Sequence, residues 1–112
     1  RRMDMKAIRA FIRQHRIVDV LQALRNLSAA ETGWHNITIS QVLRPLASAH
    51  PAQQHYSMEL AEAVVSDYKL DLVCADEVAD ALTYAIAKAA HTGQPEAGWI
   101  FVSEVTHAVE IL

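Results

Sequence analysis

Residues 68–93, YKLDLVCADEVADALTYAIAKAAHTG, decide the fold of this chain. The first part alternates: Tyr68, Leu70, Leu72 and Cys74 share one parity, with Lys69 and Asp71 between them. That period of two is the mark of a half-buried strand. At Asp76 the period changes. Val78, Ala81, Leu82, Ala85, Ile86 and Ala89 recur at helical spacing, so an amphipathic helix follows. Asp76 reads as its N-cap, with Glu77 and Asp80 in a first turn where the helix dipole favours anions. Lys88 and His91 suit the opposite end, and Gly93 reads as the stop.

The same alternation of periods appears on either side. Upstream, Ile8, Ala10 and Ile12 alternate with Arg9 and Arg13 as a first strand. Ile17, Val20, Leu21, Leu24 and Leu27 then define a helix from about Ile17 to Leu27. A polar connection, Ser28 to Asn36, leads into a second strand carrying Ile37, Ile39 and Leu43. The stretch from Arg44 to about Ser57 breaks both periods and holds Pro45, Pro51, His50 and His55, so it reads as a long loop. Loops of that length in small domains are usually functional or disordered. The strand beyond it starts somewhere between Met58 and Ser66, since Glu59 to Val65 is of mixed character and compatible with a local helix. Trp99 to Val105 is a fourth strand, and Ala108 to Leu112 is a candidate for a short final one.

The order β-α-β-β-α-β is the ferredoxin-like plan: an α+β domain with an antiparallel sheet and two helices on one face. A single domain spanning residues 1–112 is expected. The other sheet face then needs cover, and Phe11 together with the apolar residues of the later strands predicts that a second subunit supplies it.

Composition narrows the function classes. A net charge of −3 argues for no bulk attraction to nucleic acid or membrane. The cations of the first quarter are spread over a strand and a helix rather than gathered in a stripe. Apolar runs are far shorter than the ~20 residues that span a bilayer. The single cysteine, Cys74, excludes an internal disulfide and fits a reducing compartment, so the cytoplasm is expected. Cys74 shares its strand face with Leu70 and Leu72 and reads as a small buried hydrophobe. No Gly-x-Ser-x-Gly, P-loop or His-Glu-x-x-His motif is present, so nothing points to an enzyme.

That order, the long loop, the run Ala89-Ala90-His91-Thr92-Gly93 and the segment Gly98-Trp99-Ile100-Phe101-Val102 resemble the PII signalling proteins over nearly the whole chain. Lys69-Leu70-Asp71-Leu72-Val73 strengthens the resemblance. It implies a homotrimer with an effector in a cleft between subunits and a flexible T-loop, here about residues 44–57, that grips a target protein, plausibly a membrane transporter. Thr92, Gly93, Gly98 and Trp99 would line the cleft; Arg44, His50, His55 and Tyr56 would form the target surface. The Ala-Ala-His-Thr-Gly run and Val73-Cys74 look like the branch associated with heavy-metal efflux.

Departures from the family pattern carry chemistry. The loop after the second helix usually reads Thr-Gly-x-x-Gly-x-Gly-Lys, its lysine meeting nucleotide phosphates. Here Gln94, Pro95, Glu96 and Ala97 intervene, and Trp99 stands where the lysine is expected. Two arginines usual in the final strand are replaced by Glu110 and Leu112. Three charge-assisted hydrogen bonds at ~1.5–3 kcal/mol each amount to ~4–9 kcal/mol. Ordinary ATP sensing is therefore not expected; ADP, AMP or another less charged ligand held by backbone N–H groups remains open. His55, with Tyr56 beside it, occupies the position of the family's modifiable tyrosine, so uridylylation is not expected either. His50 and His55 are also candidate ligands for a divalent metal, with solvated loop histidines as the alternative.

Overall fold

The computed structural model describes residues 4–27, 34–45, 54–57, 62–95 and 97–112. Strand β1 (Met5–Arg13) is followed by a 3-10 turn (Gln14–Arg16) and helix α1 (Ile17–Arg25). Then come β2 (Trp34–Arg44), β3 (Gln54–Ser57) and β4 (Glu62–Ala75). A second 3-10 turn (Asp76–Val78) enters helix α2 (Ala79–Ala89), and β5 (Trp99–Val105) completes the sheet. The main sheet runs β2-β4-β1-β5, with every pairing antiparallel.

Register explains the core. Ile8 lies opposite Leu72 on one side and Val102 on the other; Ala10 lies between Leu70 and Ile100. The alternation therefore places Ile8, Ala10, Ile12, Leu70, Leu72 and Cys74 on one face, where Val20 and Leu24 of α1 and Leu82 and Ile86 of α2 pack over them. Each fully buried Leu or Ile contributes ~1.5–3 kcal/mol. The period-two and period-3.6 stripes seen in the sequence are this one core viewed from its two sides.

Helix ends show where local sequence yields to packing. Asp76 does not cap α2; it opens the 3-10 turn, and its carboxylate sits 2.9 Å from Lys6 Nζ. Lys6 also donates to Glu104 at 3.1 Å, so one ammonium ties the start of β1 to the entry of α2 and to β5. Those two acidic partners push the Lys6 amine above its ordinary value. Arg16 closes the other end of α2, donating from Nε and Nη2 to the Ala89 carbonyl at 3.0 and 2.7 Å.

Three expectations change in the 40–66 region and at the C-terminus. Arg44 is a strand residue, because β2 continues to pair with β4 through Arg44↔Val65. The strand beyond the expected loop begins at Glu62, within the expected range of Met58 to Ser66. Of the two characters left open for this stretch, Glu62 to Val65 takes strand: its other edge pairs with β3, from Gln54↔Val65 to Ser57↔Glu62. The expected loop is thus strand at both ends. Ala108 to Leu112 forms no strand; Val109, Ile111 and Leu112 are exposed and carry no ladder.

Cys74 is fully buried, and that burial, reinforced by nearby Asp76, pushes its thiol above the ordinary value. The thiol is therefore protonated and shielded at neutral pH. A thiol-specific reagent is expected to react only as the chain opens, giving one equivalent per chain in denaturant. Prompt reaction in native buffer would contradict this packing.

Candidate functional site

The 90–100 connection begins where α2 ends. Ala90 N–H still bonds to the Ile86 carbonyl, but Gly93 adopts φ +80°, a conformation that turns the chain away from the helix axis. Thr92 Oγ1 accepts the Gln94 N–H at 3.2 Å and braces that turn. Gly98 then brings the chain against β1. A Cβ on Gly98 would run into the backbone carbonyl oxygen of Phe11, so only glycine permits this approach.

The result is an open cleft of about 620 Å³ between the end of α2, the connection and the end of β1. Thr92, Gly93, Gly98 and Trp99, the four residues singled out by sequence, all line it. Sequence reasoning did not assign Phe11, Ile86 and His91 to its walls. None of the described lining residues is Lys, Arg, Asp or Glu.

Trp99 also belongs to the sheet face that the helices leave uncovered. It is 59% exposed and stacks on Phe101, with ring centroids 6.2 Å apart and planes inclined by 16°. Phe101, itself 54% exposed, meets Phe11 edge to face at 6.3 Å. The Arg44 guanidinium lies over the Phe11 ring, 5.4 Å from its centroid. An aromatic strip therefore runs from the cleft towards the end of β2.

Arg44 leads into a charged cluster that the sequence did not disclose. Its Nη1 is 3.0 Å from Asp67 Oδ2, an ion pair without an aligned hydrogen bond. Arg13 Nη1 bonds both oxygens of the same carboxylate at 3.3 Å. The Asp67 side chain is fully buried and that of Arg13 nearly so. Burial pushes the Asp67 carboxyl above the ordinary carboxylate value, while the two guanidiniums pull against it. Nearby on the same face, Arg9 pairs with Asp71 at 2.9 Å.

Arg44 is thus turned onto Asp67 and Phe11, its side chain only 14% exposed. His55 and Tyr56 lie on β3, paired with Val64 and Ala63 of β4. His50 lies outside the described residues. Among the described residues, no three His, Cys, Asp or Glu side chains gather to hold a metal. No helix there is long and apolar enough to cross a membrane.

Comparison with known proteins agrees with this architecture. The Nitrogen regulatory protein P-II family model matches residues 5–111. Nitrogen regulatory protein GlnK2 of Haloferax mediterranei is 32% identical over 111 residues, covering 96% of this chain and 83% of that protein. Nitrogen regulatory protein P-II of Rhizobium meliloti is 31% identical over 107 residues, covering 96% and 91%. A solved Bacillus subtilis GlnK-ATP complex superposes with a TM-score of 0.63 at 21% identity, over 92% of this chain and 83% of that one, which establishes the shared fold. The family is regulatory and not enzymatic. The chain belongs to the nitrogen regulatory protein P-II family.

Proposed function

We propose that this chain is the subunit of a cytoplasmic homotrimeric P-II regulator whose cleft binds a small effector and whose 44–57 segment docks on a target protein, a membrane transporter being the favoured class. The observation that carries this reading is the double position of Trp99: it lines the 620 Å³ cleft and also stands exposed on the uncovered sheet face. If copies of the chain bury that face against one another, the same step covers Trp99 and Phe101 and closes the cleft between subunits.

The regulatory step is an order–disorder change. An effector shifts the segment only through contacts that differ between its two states. β2 and β4 hold the segment at Arg44↔Val65, and β3 holds it at Gln54↔Val65, so its base is anchored to the sheet. The adenine nucleotide named with the Bacillus subtilis relative makes purine compounds the first effectors to try.

Hydrogen exchange followed by mass spectrometry tests this. Adding adenosine or ADP at saturation is expected to change the protection of the Gln54–Ser57 amides as well as that of the Thr92–Trp99 connection. Protection at Gln54–Ser57 that stays the same while the connection becomes protected would contradict the regulatory step.

A further inference from the structure

We propose that the cleft selects an uncharged ligand with a planar ring and N–H donors, a nucleoside rather than its phosphate esters; this rests on the reading of the cleft as the effector site.

The first ground is charge. Among the described lining residues, His91 alone is titratable, and none is a permanent cation. The cation that reaches the end of α2 from the 3-10 turn before α1 is already engaged: Arg16 gives Nε and Nη2 to the Ala89 carbonyl, and its Nη1 lies 2.9 Å from Asp19. A polyphosphate would enter with no counter-charge from the lining of its own subunit. A second copy packed across the Trp99 face would have to bring every cation itself.

The second ground is the helix end. Ala87, Ala90 and His91 line the cleft, so α2 points its C-terminus into it. The last turn of a helix presents carbonyl oxygens, which accept hydrogen bonds and donate none; Arg16 already takes the one on Ala89. An exocyclic amine therefore meets acceptors at this helix end, whereas a phosphate, which needs donors, meets none from its carbonyls.

The third ground is shape. Ile86 and Ala90 give an apolar wall, and the Trp99 indole, steadied by its stack on Phe101, lines the cleft with them. Aromatic faces hold a ring by offset stacking. Thr92 is already satisfied by the Gln94 N–H, so the turn is formed before any ligand arrives.

Calorimetric titration of the full chain with adenosine, AMP, ADP and ATP at one ionic strength tests the proposal. Adenosine is expected to bind about tenfold or more tightly than ATP, the ratio set by desolvating one charged group that finds no partner. Gln94→Lys, an exposed substitution that adds a cation to the rim, is expected to narrow or reverse that ratio. Affinity rising stepwise from adenosine to ATP in the unmodified chain would overturn the proposal and leave the effector cleft standing. An unchanged ratio in Gln94→Lys would overturn it by placing the ligand elsewhere. No heat with any of the four would overturn it together with the purine reading of the cleft.

Discussion

Asp67→Ala is expected to destabilise the folded protein by about 3–5 kcal/mol, the usual cost of removing one partner from a buried ion pair. The carboxylate is fully buried and lies within 3.3 Å of two guanidiniums, Arg13 and Arg44. Removing it leaves those two cations facing each other where water cannot screen them well. The cluster need not be a large net source of stability. Burial holds the folded-state value of Asp67 above the ordinary one, so this group's contribution is full below the ordinary carboxylate range and falls as pH rises through the folded value. Ionised Asp67 is therefore kept at some cost, and what it secures is geometry: the end of β1, the end of β2 and the start of β4 meet at this carboxylate. Urea unfolding at fixed protein concentration measures the loss. A change below about 1 kcal/mol would mean that the cluster is solvated and does not organise the base of the 44–57 segment.

Gly98→Ala is expected to cost about 1–3 kcal/mol and to reshape the cleft. The reason is positional: an added Cβ collides with the Phe11 carbonyl oxygen, a backbone atom that cannot rotate aside. Either the connection or β1 must move. Phe11 and Gly98 both line the cleft, and the Phe11 ring supports Phe101 and Arg44, so a shift at either carries into the aromatic strip. The expected result is a lower melting temperature together with loss of ligand binding measured by calorimetry. Unchanged melting and unchanged binding would show that the close approach is not needed.

Much of this was legible in the sequence because the core faces are strictly periodic. Leu70, Leu72 and Cys74 announce a strand and Ala81 to Ala89 a helix, and both lie where expected. The four cleft residues entered through the family resemblance that the Thr92-Gly93 and Gly98-Trp99 pairs carry, and the fold brings them to one cleft. Asp67 was not. Its meaning depends on the register that sets Asp67 opposite both Arg13 and Val42, and no local pattern carries a pairing between residues 54 positions apart. The strand character of Arg44 and of Glu62 to Val65 was hidden for the same reason: β2 and β3 supply the hydrogen bonds, and mixed polarity on β4 conceals them. Asp76 misled because a good N-cap residue was recruited by Lys6 across the sheet.

In the proposed assembly the face carrying Trp99 and Phe101 is buried between three copies of the chain, and the cleft is completed only there. The most direct measurement is the mass of the purified full chain in solution by light scattering over a range of concentrations. A mass three times that of the chain, reduced by Phe101→Glu, is the predicted result. A mass equal to one chain throughout, with Trp99 and Phe101 left in water, would contradict it.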